Sequence, residues 1–256
     1  MNLTLQILGT ASAMPVSDRN PSAQVLSVHG RLFLLDCAEG TQRQIRRAHL
    51  SFLKIRAVFI THIHGDHVFG LPGLLNTMAM YGRTEPLDVY GPPALEGMLN
   101  FYRRYFSDGD GYSIDFHPLK GGPQEILPNK YLRITAFPLD HKIDCWGYRF
   151  GDSYAYCSDT RPFPELPERV RGVHTLYHEG TYTNDLRDKA AMRYHSTAAD
   201  AALCAREAGA TRLILGHYSS RITDFDSYIA EAREIFPESI AANDGDSLEI
   251  PYISGL

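Results

Sequence analysis

Apolar and polar positions along the chain fall into short runs of two periods. Leu3 to Leu8 alternates apolar and polar and stops at Gly9-Thr10, a strand that gives way to a loop rich in Ser, Pro and Asn from Ala11 to Pro21. Gln24 to Val28 and Leu32 to Asp36 read as two further strands, with His29-Gly30 as the hairpin turn between them. Glu39 to His49 sets Ile45 and Ala48 among Gln42, Arg43, Arg46 and Arg47, the pattern of a surface helix with a solvated basic face. The unbroken apolar run Ala57-Val58-Phe59-Ile60 predicts a buried strand. From Gly70 to Tyr81, Leu71, Leu74, Leu75 and Met78 recur at helical spacing, and Pro72 suits the first turn. A short strand, Leu87 to Tyr90, and an amphipathic helix, Pro93 to Tyr105, follow.

The second half repeats the rhythm. Tyr112 to Pro138 is β-type, most clearly from Tyr131 to Phe137 with its β-branched and aromatic side chains. Trp146 to Phe150 and Ser153 to Tyr156 are strands joined by a tight turn at Gly151-Asp152, and Thr175 to His178 is another. Ala198 to Ala208 is a helix opened by Ser196-Thr197 and closed by Gly209, and Leu213 to Leu215 is a buried strand. Strands alternating with helices predict an α/β protein. Two such halves packed face to face would put their strand-end loops along one edge. With no repeat of fixed period, low-complexity tract or linker, residues 1–256 are expected to form one domain.

Composition changes this picture little. Apolar residues at 44% and charged residues at 21% are ordinary for a soluble protein. No apolar run approaches the ~20 residues of a spanning helix. Met1 to Leu8 is too short and polar for a signal peptide, so no membrane partner is expected and the cytoplasm is the default location. Cys37, Cys145, Cys157 and Cys204 lack paired spacing and read as buried thiols. A net charge of −5 argues against general nucleic-acid binding, although bound divalent cations would offset it locally.

The chemistry gathers where the strand ending at Ile60 runs into Thr61-His62-Ile63-His64-Gly65-Asp66-His67. Imidazole and carboxylate suit zinc and its borderline neighbours, and this loop offers His62 and His64 to one ion while Asp66 and His67 face another. Gly65 lets the backbone turn between the pairs. His141, Asp159, Glu179 and His217 also follow or end predicted strands.

The loop from Thr61 to His67 resembles the signature of the metallo-β-lactamase superfamily, whose fold is a four-layer αβ/βα sandwich. Further blocks resemble the motif series of ribonuclease Z: Leu8-Gly9-Thr10, Asp36-Cys37-Ala38-Glu39-Gly40-Thr41-Gln42, His67-Val68-Phe69-Gly70-Leu71-Pro72-Gly73, Ser158-Asp159-Thr160-Arg161-Pro162, His178-Glu179-Gly180-Thr181, His195-Ser196-Thr197-Ala198-Ala199 and His217-Tyr218-Ser219-Ser220-Arg221. Several blocks in order are more specific than any one. The resemblance implies that His62, His64 and His141 hold one metal, Asp66, His67 and His217 a second, and that Asp159 bridges them. A bridging carboxylate has an oxygen for each ion. It further implies that His195, paired with Glu179, protonates the leaving group and that Asp66 orients the nucleophile. Gly180 stands where the series has alanine.

Thr197, Ser219, Ser220 and Arg221, together with Arg19 and Asn20 of the family's first loop, are the expected substrate contacts. The implied activity is endonucleolytic 3′ processing of precursor tRNA by a two-metal hydrolase, with zinc as the default metal and a homodimer as the implied assembly. A small-molecule or cyclic-nucleotide phosphodiesterase and a non-hydrolytic metal-binding scaffold are the alternatives. Two departures bear on substrate. Only seven residues, Gly151 to Cys157, lie where the family inserts a tRNA-binding arm, and Ser17 stands where a lysine is usual.

Overall fold

The computed structural model describes residues 2–107, 109, 111–127 and 132–255. Strands β1 (Asn2–Gly9), β2 (Ala23–Val28) and β3 (Arg31–Leu35) form a meander. Its β2–β3 turn has His29 and Gly30 both at positive φ, as a two-residue hairpin turn requires. Helix α1 (Thr41–Arg47) then leads to β4 (Ile55–Phe59), the short helix α2 (Gly65–Val68), α3 (Leu71–Met80), β5 (Leu87–Gly91), α4 (Leu95–Tyr105) and β6 (Ile114–Pro118). β3 to β6 run parallel, so their carboxyl ends share one edge.

The second sheet holds β7 (Gln124–Glu125), β8 (Ile134–Pro138), β9 (Trp146–Phe150) and β10 (Tyr154–Cys157), then α5 (Leu166–Arg169) and β11 (Thr175–Glu179). It continues through α6 (Arg187–Met192), α7 (Ala198–Ala208), β12 (Arg212–Gly216), α8 (Phe225–Arg233) and β13 (Ser239–Ala241). The last strand, β14 (Ser247–Pro251), returns to the first sheet beside β1. Among the described residues the strand orders are β14-β1-β2-β3-β4-β5-β6 and β13-β12-β11-β10-β9-β8-β7.

Alternation along the strands divides the core into layers. Phe33 and Leu35 of β3 and Tyr154 and Tyr156 of β10 point between the sheets, whereas Leu32 and Leu34 face the helices of the first half. Ala155 and Cys157 face α5, α7 and α8 on the other side. The order is helices, sheet, sheet, helices, the four-layer αβ/βα sandwich that the resemblance implies.

Several expectations shift. The basic helix begins at Thr41 rather than Glu39, because Gly40 at φ 83° precedes its first turn. The helix expected from Pro93 begins at Leu95. Asp36 leaves β3 at φ 55°, turning its side chain into the space between the sheets. Of the strand expected over Tyr131 to Phe137, Tyr131 lies outside the described residues and the pairing begins at Ile134. α2, α5, α6, α8, β13 and β14 are additions to the elements expected from pattern. α8 carries a side-chain cap in which Asp224 accepts from the N–H groups of Asp226 and Ser227.

Candidate metal centre

Six histidines and three carboxylates converge at the shared edge of the two sheets. His62, His64, Asp66 and His67 come from the β4–α2 loop, His141 follows β8, Asp159 follows β10, Glu179 ends β11, and His217 follows β12. His195 instead precedes α7.

Their ligating atoms form two sets. In the first, His64 Nδ1 is 3.0 Å from His62 Nε2 and 3.3 Å from His141 Nε2, and Asp159 Oδ2 is 3.7 and 3.8 Å from those two Nε2 atoms. In the second, His67 Nε2 is 3.3 Å from His217 Nε2, with Asp66 Oδ2 at 3.6 and 3.4 Å from them. Asp159 Oδ1 completes this set at 3.3 Å from His67 Nε2 and 3.2 Å from His217 Nε2. Zinc–nitrogen bonds of ~2.0–2.1 Å at a tetrahedral ion imply ligand–ligand edges of roughly 3.3 Å, close to the spacing of both sets.

The far nitrogens explain why these edges are so short. His62 Nδ1 lies 3.0 Å from Thr61 Oγ1, His67 Nδ1 2.9 Å from Asp36 Oδ2, His141 Nδ1 3.0 Å from the Tyr194 carbonyl and His217 Nδ1 2.9 Å from Thr181 Oγ1. With each Nδ1–H donating, the Nε2 lone pairs are left to converge. Lone pairs 3.3 Å apart repel unless a cation lies between them, so the donor set fits divalent metal. Burial, and then repulsion from neighbouring imidazoles, lowers the pKa of His62 and His64; burial lowers that of His141 against the pull of Asp159. Neutral imidazole is the form that ligates.

Asp36 opens one of the motif blocks, but nothing in the sequence marks it as part of the site. Fully buried, it accepts from the Thr61 N–H at 2.8 Å, the Tyr156 hydroxyl at 2.9 Å and His67. It thereby ties the metal loop to the opposite sheet. Tyr194 was also missed, since its contribution is a backbone carbonyl presented at φ 60°. Non-glycine residues in the left-handed region are strained, and Asp36, Tyr194 and His217 all adopt it within this site.

Beside the metal set, Glu179 Oε1 lies 2.8 Å from His195 Nδ1 and accepts from the Thr160 N–H at 2.9 Å. Its other oxygen accepts from the Thr181 N–H at 3.1 Å and the Thr181 hydroxyl at 2.5 Å. Burial opposes charge on His195, but the adjacent Glu179 carboxylate outweighs it and raises the imidazole to about 9. His195 Nδ1 is 4.0 Å from Asp159 Oδ2, so Glu179 rather than a metal set claims that nitrogen.

A cavity of about 750 Å³ opens onto the centre, lined by Asp66, Asp159, His195, Ser219 and Arg221. A second, of about 790 Å³, meets it at Asp66 and is lined by Arg19, Asn20 and Arg43. The expected substrate contacts fare unequally. Thr197 is fully buried and its hydroxyl caps α7 in a reciprocal pair with Asp200, which removes it from any phosphate. Ser220 is exposed and does not line either cavity. Arg19 donates to Thr10 Oγ1 and Asn243 Oδ1 and stacks over Phe225, while Asn20 bonds Asp244; both tie the first loop to the segment before β14. The four cysteines are buried and free, and Cys157 faces the helix layer, away from the metal set.

The same chain matches the profile of the beta-lactamase superfamily domain over residues 31–218. It is 33% identical to ribonuclease Z of Porphyromonas gingivalis strain W83 over 294 residues, taking in 94% of this chain and 97% of the relative. Against ribonuclease Z of Cytophaga hutchinsonii the identity is 34% over 303 residues, covering 98% and 97%. Both alignments exceed the 256 residues of this chain, so these relatives carry segments it lacks. The crystal structure of human tRNase Z, short form, superposes with a TM-score of 0.86 at 28% identity over 97% of this chain and all of that one.

Proposed function

The chain belongs to the ribonuclease Z family of the beta-lactamase superfamily, and from that premise we propose that it is a metal-dependent endoribonuclease that processes the 3′ side of precursor tRNA. The carrying observation is Asp159, whose two carboxylate oxygens each face a separate set of imidazoles, with the Glu179–His195 pair at their side. His62, His64 and His141 would hold one divalent ion, Asp66, His67 and His217 the other, with Asp159 shared; zinc suits the donor set. What two ions supply there is activation of water as a nucleophile near neutral pH and neutralisation of charge growing on the phosphoryl oxygens.

The protein's own groups do the rest. Asp66 lines the cavity, and its carboxylate oxygen that is not turned to His67 and His217 orients the attacking water, accepting its proton as the bond to phosphorus forms. Its carboxyl is kept ionised because the imidazoles of His67 and His217 outweigh the effect of burial. His195, held through Nδ1 by Glu179, keeps Nε2 for the leaving oxygen and donates a proton as that bond breaks. The hydrogen bonds to Glu179 from Thr160, Thr181 and His195 fix the direction of that proton.

Homodimer formation is part of this reading; Leu53, Met80 and Tyr81 are exposed apolar side chains available to it, and sedimentation of the purified protein decides it. Among the described residues no helix is long and apolar enough to cross a membrane. The decisive experiment is cleavage of a precursor tRNA beside a chromogenic phosphodiester, with metal content measured on the same preparation. Hydrolysis of the chromogenic compound without tRNA cleavage would replace this reading with a small-phosphodiester hydrolase. No hydrolysis of either by metal-loaded protein would leave a binding scaffold.

A further inference from the structure

One face of α6 is turned to the metal centre. Lys189, Met192 and Arg193 stand at i, i+3 and i+4 along the helix and its C-cap, and all line the cavity that holds the ligands. The helix is fixed to the site at its carboxyl end: the His195 N–H donates to the Ala190 carbonyl at 2.9 Å, and the Tyr194 carbonyl holds His141. Lys142 and Arg221 line the same cavity. Among the described residues none of Lys142, Lys189 or Arg193 has an ion-pair partner, whereas Arg56, Arg149, Arg161 and Arg187 each meet a carboxylate. The cavity's own carboxylates are taken up by imidazoles: Asp66 and Asp159 by the metal set, Glu179 behind them by His195. In a chain with more acidic than basic residues, unpaired cations gathered at one mouth await an anion that the protein does not supply.

We infer that Lys189 and Arg193 bind the RNA phosphate next to the scissile one, on the side of the leaving oxygen, and so make the chain select polynucleotides over small phosphodiesters. The inference rests on the functional reading above, since the side is set by His195, two residues beyond Arg193, donating to the leaving oxygen. Two cations one helical turn apart match a single phosphate group, whose oxygens accept from both. Met192, largely exposed between them, gives a base a soft apolar surface. A small diester has no second phosphate to offer this helix. A polynucleotide strand has one.

The test is the double variant Lys189→Ala/Arg193→Ala, compared with wild type on precursor tRNA and on bis(p-nitrophenyl) phosphate across a salt series. The expected result is a fall in kcat/KM for tRNA about ten-fold greater than any fall for the small diester, with a log–log salt slope shallower by about 0.7, as expected when one phosphate of a single strand is no longer neutralised. The exchanged pair Lys189→Arg/Arg193→Lys should restore the slope. Equal losses on both substrates would mean that α6 only props His195, and an unchanged slope would mean that no phosphate is held; either overturns the inference. Binding of a fluorescent single-stranded RNA to His195→Ala, with and without the two alanines, separates this inference from the tRNA reading. Equal affinities overturn it even where tRNA is cleaved, and weaker binding with the alanines supports it even where tRNA is not.

Discussion

The Tyr228 hydroxyl occupies the place that a Cβ on residue 180 would take, and it donates to the Gly180 carbonyl at 2.6 Å. This accounts for glycine at a position where the resembling motif has alanine: α8 packs its tyrosine flush against the strand end that carries Glu179.

Gly180→Ala should therefore destabilise the protein by about 1–3 kcal/mol through overpacking, because Tyr228 is fully buried and has no room to withdraw. Gly180→Ala/Tyr228→Phe should recover part of the loss, since removing the hydroxyl opens the space that the new methyl needs. Urea titration of the two variants checks this; an alanine variant as stable as wild type would show that α8 moves aside freely.

Asp159 contributes one oxygen to each imidazole set, and its removal acts on both at once. Asp159→Ala should abolish hydrolysis and lower the bound metal measured by elemental analysis, whereas His141→Ala should affect chiefly one ion. Wild-type metal content in Asp159→Ala would rule out the shared carboxylate.

The Glu179–His195 pair gives the activity a direction in pH. His195 acts as an acid only while protonated, and the Glu179 carboxylate, against the opposing effect of burial, raises it to about 9. Activity limited by proton donation should persist below that value and fall as pH rises through it. Glu179→Gln removes the charge that sustains the imidazolium, so the alkaline limb should move to lower pH. A limb that stays in place would take the acid role away from His195.

Much of this site was legible because its ligands follow strand ends, where an apolar run stopping at a histidine or aspartate is visible in one dimension. Ala198 to Ala208 was legible too, because its start at Thr197 and its stop at Gly209 are local chemistry. What the sequence concealed are groups whose meaning depends on distant partners. Thr197 is the exception, since Asp200, which claims its hydroxyl, lies only three residues further on. Arg19 and Asn20 look like free polar residues in a loop, yet their partners Asn243 and Asp244 lie near the other end of the chain. The Tyr194 carbonyl carries no side-chain signature at all.

Asp36 is the largest of these omissions, and it predicts its own effect. Asp36→Asn keeps the shape but not the charge that holds the His67 imidazole and the Thr61 loop. Metal affinity should fall by roughly 10–100-fold, the range for a carboxylate that orients a ligating histidine. A chelator competition titration measures it, and unaltered affinity would show that the His67 ring is held by packing alone.

The connection between β9 and β10 sets the final expectation. It is a tight turn over residues 151–153, and the Asp152 N–H donates to the Ile253 carbonyl at 3.0 Å, which pins the turn to the tail beyond β14. Here the resembling family inserts its tRNA-binding arm, and the P. gingivalis relative aligns over 294 residues against the 256 of this chain. Phosphate contacts set affinity and its dependence on salt, while the metal ligands and the Glu179–His195 pair lie at the opposite ends of these strands and are untouched by the missing segment. The shortfall should therefore appear in binding rather than in chemistry. Measured side by side with the longer relative, this protein should hydrolyse a small activated phosphodiester at a comparable rate. Its KM for precursor tRNA should be higher but rise less steeply between about 50 and 200 mM salt, because fewer phosphates are neutralised, with the cations at the cavity mouth left to hold the strand. A KM equal to that of the relative at the lower end of this range would mean that another surface of the protein grips the body of the tRNA as firmly as the arm does.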